Sequence, residues 1–140
     1  MNNKIIRHGF ILILLALVTG LFIPVMAVPR LGLSSHTIGI LSGVLLIAIG
    51  AIWQQFSLST SQFRWLYYSW LYSSYVNWLG CITGAILGAG KITPISAAGV
   101  VGSEFSEGLV TAMLMSVGLV SFIAVGLSLW GLREKVKKNS

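Results

Sequence analysis

Four long blocks of apolar residues constrain this chain more than any other feature of its sequence. The blocks predict membrane-spanning helices over residues 8–27, 36–56, 64–88 and 106–132. Each holds at least the roughly 20 residues that cross about 30 Å of hydrocarbon at 1.5 Å per residue. Only 9% of the 140 residues are charged, against roughly a quarter in an average soluble domain. The sequence therefore predicts an all-α, four-helix transmembrane bundle forming a single membrane domain over 1–140.

Positive charges are distributed unequally between the two sides of this four-helix arrangement. Seven of the nine Lys and Arg residues fall on one side, and only Arg30 and Lys91 fall on the other. The positive-inside rule therefore predicts cytoplasmic N and C termini, in a multi-pass protein of the bacterial inner membrane. We interpret the basic segment 133–138 as a topology signal that contacts anionic lipid, and we expect no nucleic-acid partner.

Several residues predict where the helices begin and end. Pro24 and Pro29 are expected to end the first helix, and Ser34 or Ser35 to cap the second by accepting from its first free N–H groups. The first apolar run is longer than the 7–15 residues typical of a signal peptide, so we expect a retained helix. The connection 88–108 is long, rich in glycine and predicted to be external, where such segments are often lids or site walls.

One histidine begins a face of the second helix that carries few side chains. Positions three and seven residues after His36 lie on nearly its own face and are Gly39 and Gly43, with Ser42 beside them. Close helix–helix contact is one interpretation, because the two glycines form a small-xxx-small motif. A groove for a flat cofactor ligated by the histidine is the other. The sequence alone favours the packing interpretation.

The third helix carries a second polar and small-residue face. Glycines recur there every four residues, and Asn77 and Cys81 lie close to the same face. Since polar side chains are costly to expose to lipid, this face is predicted to point into the bundle or a subunit contact. Asn77 is expected at the depth of His36, with Tyr75 nearby. Glu107 is expected at a similar depth, either as a helix-start anion or as a functional carboxylate.

The two histidines limit the metal chemistry that the chain can support. His8 and His36 are expected at opposite ends of the first helix, about 30 Å apart, so they cannot ligate one haem from both faces. A haem held by histidine would then be five-coordinate, with one face open to substrate. Cysteines and histidines are too few for a closed zinc site. The chain contains no aspartate, which excludes a Ser-His-Asp triad.

Four segments carry a recognisable pattern: PRLGLSSH at 29–36 with the glycine at 39, YVNWL at 75–79, RHG at 7–9 and TPI at 93–95. Together they resemble the hydroxylaminobenzene mutase family. The resemblance covers nearly the whole chain with matching helix spacing. It implies a membrane isomerase that converts an N-arylhydroxylamine, a small aromatic substrate, into a 2-aminophenol. The family is similar to the styrene oxide isomerases, which bind haem b between the subunits of a trimer and use ferric iron as a Lewis acid.

The resemblance also implies the cofactor and the assembly. His36 matches the histidine that ligates the iron, so we expect ferric haem b with His36 as its axial ligand. Gly39 and Gly43 are expected to lie beside the cofactor. A homo-oligomer, with a trimer favoured, follows from the same likeness.

The resemblance assigns one more site residue, Asn77, whereas Ser42, Tyr75 and Glu107 are candidates from their positions in the sequence. Asn77 matches an asparagine of the third helix, and it is expected to orient the substrate together with Ser42 and Tyr75. Glu107 is expected to move the proton. The sequence departs from the epoxide isomerases at Ser42, where they have an asparagine, and at Cys81, where they have a tyrosine. Those departures argue against an epoxide as the natural substrate.

Three other functions stay open from the sequence. The first is a haem-dependent epoxide isomerase, and the second is a small four-helix multidrug transporter. Such transporters depend on a membrane-embedded glutamate in the first helix, and this first helix has no acidic residue. The third is a structural or assembly partner in which His36 only hydrogen-bonds a neighbouring helix.

Overall fold

The computed structural model describes residues 1–133, and the regular secondary structure of this part is entirely helical. Its helices are α1 Asn3–Phe22, α2 Pro29–Ala51, α3 Thr60–Leu87, α4 Pro94–Ala97 and α5 Glu104–Gly131, with single 3₁₀ turns at Ile23–Val25 and Trp53–Gln55. No strand occurs in residues 1–133, which confirms the predicted all-α class for them. The basic residues after Arg133 lie outside the described part of the chain.

Three of the helices in residues 1–133 are long and apolar enough to cross a membrane, by length and composition. They are Asn3–Val25, Pro29–Ala51 and Glu104–Gly131. Helix α3 is as long as α5, with 28 residues. Its serines, tyrosines and Asn77 lower its hydropathy, so α3 is not among the three. The described structure therefore supports three of the four predicted spans directly.

Helix α2 begins seven residues before the predicted start at residue 36. Pro29 occupies its first turn, where the fixed φ and the missing N–H of proline suit a helix start. Ser34 and Ser35 consequently lie inside α2, and the prediction that one of them caps this helix was wrong. The Ser35 hydroxyl instead donates to the Trp78 carbonyl of α3 at 3.0 Å, so it joins the two helices.

The other long helices have ordinary polar boundaries. Ser59 caps α3 in a capping box with Gln62. Gly88 ends α3 in the left-handed conformation, with φ of 69°. Ser103 caps α5 by accepting from the Ser106 N–H. These caps fix both ends of the connection between α3 and α5.

Helix α1 packs along α2, and α3 packs between α2 and α5. Glycines allow the α1 and α2 backbones to approach closely, because a Cβ on Gly43 would lie 2.7 Å from the Gly9 carbonyl oxygen. Towards the Asn3 end of α1 a core forms around Ile5, Leu12 and Leu46. At the other end α4 covers α2 and α3, in a cluster composed of Val28, Leu31, Cys81, Ala85 and Ala97.

Large apolar side chains cover much of the outer surface of the bundle. The most exposed on α1 and α5 include Phe10, Leu21, Leu119 and Phe122, between 61% and 81% exposed. Contiguous apolar surface of this kind marks contact with a membrane or a partner. The outer faces therefore match the apolar composition of the predicted spans.

Candidate functional site

The His36 imidazole is held between α1 and α2. Its Nδ1 lies 2.7 Å from the Ala16 carbonyl oxygen. Because a carbonyl only accepts, Nδ1 carries the hydrogen, and Nε2 of the neutral ring keeps its lone pair. Gly20 provides the space, since a Cβ there would lie 2.8 Å from Nδ1. Helix α1 thus selects the tautomer and the orientation of the ring.

The depth of His36 differs from the sequence prediction. The early start of α2 brings the ring level with Ala16, which lies eight residues after His8 on α1. Eight helical residues rise about 12 Å, so the predicted separation of about 30 Å between the histidines was wrong. Even 12 Å is far longer than two metal–nitrogen bonds of about 2 Å on opposite sides of one ion. Only one of the two imidazoles can ligate a given metal in this protomer.

The two glycines assigned to the cofactor face α1 within the protomer. A Cβ on Gly39 would lie 2.6 Å from the Ala16 Cβ and 2.8 Å from Cδ1 of Trp78. A Cβ on Gly43 would lie 2.5 Å from Cγ1 of Ile13. These are the contacts that the packing interpretation describes. The cofactor role of both glycines stays a prediction.

Ser42 and Asn77 are half-buried polar residues on α2 and α3. Ser42 lies two turns after Ser35, which bonds the Trp78 carbonyl, so Ser42 is on the face of α2 that looks towards α3. Asn77 directly precedes Trp78 on α3. Neither side chain forms a hydrogen bond to a residue within 1–133. Both therefore retain hydrogen-bonding capacity that a substrate could use, and their predicted role stays a prediction.

Tyr75 lies beside His8 and not beside His36. Its hydroxyl donates to the His8 carbonyl at 3.1 Å and lies 3.2 Å from His8 Nδ1. The two rings meet edge to face, with centroids 5.8 Å apart. The structure therefore does not bring this hydroxyl to the His36 imidazole, and the substrate-orienting role of Tyr75 stays a prediction.

The Glu107 carboxylate binds the backbone of the connection between α3 and α5. Oε1 accepts from the Gly90 N–H at 3.0 Å and the Gly102 N–H at 2.8 Å, and Oε2 accepts from the Lys91 N–H at 2.9 Å. The residue is 6% exposed. Three N–H donors and the start of α5 stabilise the anion. These contacts hold the connection in place, and none of the three donors belongs to α5. The proton-transfer role of Glu107 stays a prediction.

Sequence reasoning missed the contribution of α1 to the site. Ala16 supplies the acceptor for His36, Gly20 supplies the space, and Thr19 bonds Nε1 of Trp78 at 3.2 Å. A signal was present in part, because Thr19 and Gly20 are a polar and a small residue together in an otherwise apolar stretch. The carbonyl of Ala16 leaves no such signal.

The donor set of the site fits a metal that takes one protein ligand. No group of three or more His, Cys, Asp or Glu side chains in residues 1–133 could hold a metal ion. His36 offers a free Nε2 while Nδ1–H donates to a carbonyl, which is the usual arrangement of metal-ligating histidines. A single histidine is enough to hold a haem iron, so the residues present fit that cofactor.

Comparison with known proteins shows that the chain is similar to an isomerase family and to two mutases. A family described as styrene oxide isomerase matches residues 1–133. Hydroxylaminobenzene mutase HabB of Ectopseudomonas oleovorans is 40% identical over 133 residues, covering 94% of this chain and 81% of the relative. Hydroxylaminobenzene mutase HabA of the same organism is 36% identical over 125 residues, covering 89% and 93%. No solved structure matches the chain.

Proposed function

The chain belongs to the styrene oxide isomerase family and is an enzyme of the mutase type, and from that premise we propose that it converts an N-arylhydroxylamine into a 2-aminophenol. The names of the two relatives, at 40% and 36% identity, support this substrate. The apolar outer surface supports a membrane location, in which a neutral aromatic substrate is supplied from lipid.

The contact between His36 Nδ1 and the Ala16 carbonyl carries the proposal. It leaves the lone pair of Nε2 free and oriented, and this atom would hold ferric haem b. When bound, ferric haem supplies a Lewis acid that polarises the substrate oxygen. The protein contributes the fixed ring, and Gly20 keeps the space that the ring needs.

The proposed reaction rearranges one molecule without loss of atoms or electrons. The N–O bond breaks, a C–O bond forms at the ortho carbon, and the hydrogen displaced from that carbon is replaced by one on nitrogen. No reductant or nucleotide is consumed. Asn77 and Ser42 are the proposed orienting residues, because their side chains have unused hydrogen-bonding capacity. Apolar surroundings exclude water that would otherwise add to the electron-poor ring.

We further propose four spans with both termini in the cytoplasm. The 28 residues of α3 rise about 42 Å, enough to cross about 30 Å of hydrocarbon. Its polar residues Ser69, Ser73 and Ser74 are buried inside the bundle, away from lipid. The excess of Lys and Arg at the terminal side supports a cytoplasmic orientation in an inner membrane. A homotrimer is proposed from the likeness to the styrene oxide isomerases.

Epoxide isomerisation is the second candidate, and the description of the matching family favours it. Both reactions use a Lewis acid on an oxygen atom, so the site geometry serves either one. The choice therefore depends on the substrate, and the two must be assayed side by side.

The decisive assay supplies phenylhydroxylamine and, separately, styrene oxide to the purified, haem-loaded protein in ¹⁸O-labelled water. We expect 2-aminophenol without ¹⁸O, because the hydroxyl group moves within one molecule, and slower turnover of styrene oxide. Incorporation of ¹⁸O would contradict intramolecular transfer. Faster turnover of styrene oxide, with no 2-aminophenol formed, would establish the second candidate instead.

A further inference from the structure

A cavity of about 450 Å³ lies between α1, α3 and residues 25–27, which follow α1. Its walls are almost entirely apolar, with Val18 and Phe22 on the α1 side and Ile82 and Ile86 on the α3 side. None of the residues proposed above to bind haem or to orient substrate lines it. The cavity is therefore distinct from the residues proposed to bind haem and substrate.

The polar side chains in the wall of this cavity are Thr19 and Trp78. The Thr19 hydroxyl donates to the Leu15 carbonyl at 2.8 Å and accepts from Trp78 Nε1 at 3.2 Å. A hydroxyl has one hydrogen and two acceptor lone pairs, and the indole has one hydrogen. Both hydrogens are therefore used, and one lone pair on Thr19 is left. The side chains in the wall thus offer one acceptor and no donor.

The cavity adjoins the His36 site through α1. Thr19 lines the cavity, whereas the next residue, Gly20, faces the His36 ring. The Trp78 side chain also reaches both places, because its indole bonds Thr19 and its Cδ1 lies against Gly39. A molecule in the cavity would therefore lie on the other side of α1 and the indole from the imidazole.

We propose that this cavity is a loading site for neutral arenes that carry a hydrogen-bond donor, a proposal that rests on the proposed function. A cavity of about 150 Å³ already binds benzene, so 450 Å³ accommodates two fused rings with a substituent. The N–H or O–H of an arylhydroxylamine donates to the free lone pair of Thr19. An epoxide has no donor and cannot form this bond, so the Thr19 contact distinguishes the hydroxylamine class from epoxides.

The experiment compares 4-fluorophenol with 4-fluorotoluene, two rings of similar size of which only the phenol has a donor. Binding to the holoprotein in nanodiscs is followed by ¹⁹F NMR, with empty nanodiscs as the blank. We expect the phenol to bind about two- to tenfold more tightly, the value of one net hydrogen bond. Neither probe is turned over, so the result does not depend on the proposed reaction.

Variants locate the bond within the chain. Thr19→Ser should keep the preference for the phenol, and the double variant Thr19→Val/Trp78→Phe should abolish it, because both polar groups are gone. Thr37→Val is the matched control, since Thr37 is exposed and bonds the Leu33 carbonyl of its own helix at 3.0 Å. Ile82→Trp, which fills the cavity, should remove the binding of both probes.

Two results would overturn the proposal. A preference that persists in Thr19→Val/Trp78→Phe would place the bond elsewhere. Absence of probe binding above the blank would show that a lipid chain or a second copy of the protein fills the cavity. Either result leaves the conversion of phenylhydroxylamine to be judged by its own assay.

Discussion

Gly20→Ala perturbs the His36 site with a single methyl group. The added Cβ would lie 2.8 Å from Nδ1 and 3.0 Å from Cε1 of the ring, whereas ordinary contact begins at 3.4 Å. The ring must therefore retreat by about 0.6 Å. A retreat of that size lengthens the 2.7 Å distance from Nδ1 to the Ala16 carbonyl to about 3.3 Å, outside the usual range for an N–H···O bond.

Loss of such a supporting bond typically costs about 10- to 100-fold in metal affinity or activity. We expect Gly20→Ala to lower haem affinity by about tenfold or more, measured by titration with haemin at the Soret band. The helix content of the variant should be unchanged. Gly118→Ala is the control, because a Cβ there meets no atom within 4 Å. Haem affinity equal to that of the unaltered protein in Gly20→Ala would refute the argument that α1 positions the ring.

Three further substitutions test other parts of the structure. Glu107→Gln replaces an accepting oxygen with an NH₂ group, so amide hydrogen exchange in the connection between α3 and α5 should accelerate. Glu104→Gln, at an exposed residue of the same helix turn, is the control and should leave that exchange unchanged. Gly43→Ala places a Cβ 2.7 Å from a backbone oxygen of α1 and should lower the melting temperature by roughly 5 °C or more. Gly126→Ala is the control and should leave the melting temperature unchanged, because a Cβ there meets no atom within 4 Å. Tyr75→Phe should leave 2-aminophenol formation close to that of the unaltered protein, because the hydroxyl lies beside His8; a large loss of rate would instead support its predicted action on the substrate.

The helical blocks could be predicted because apolar length alone decides whether a segment can cross a bilayer. The helix starts could not be predicted with the same accuracy. Pro29 was expected to end the first helix and Ser34 or Ser35 to cap the second, whereas α2 begins at Pro29 itself. That shift of two turns moved His36 towards the middle of α1 and shortened its distance from His8.

The parts of the candidate site that could be predicted are those formed by distinctive side chains. His36 was identified by its place among the glycines of α2, and the small-xxx-small spacing of Gly39 and Gly43 predicted the close contact that α1 makes. The acceptor of the His36 bond is a backbone carbonyl, and the partners of Glu107 are backbone N–H groups. Every residue carries those groups, so no residue type signals them.

The visible absorption spectrum of the purified protein tests the central claim, that His36 alone ligates haem. We predict a Soret band in the unaltered protein and in His8→Ala, and its loss in His36→Ala, because His36 Nε2 is the free, oriented nitrogen. A Soret band that survives in His36→Ala, or one that is absent from the unaltered protein after supply with haem, would contradict the claim.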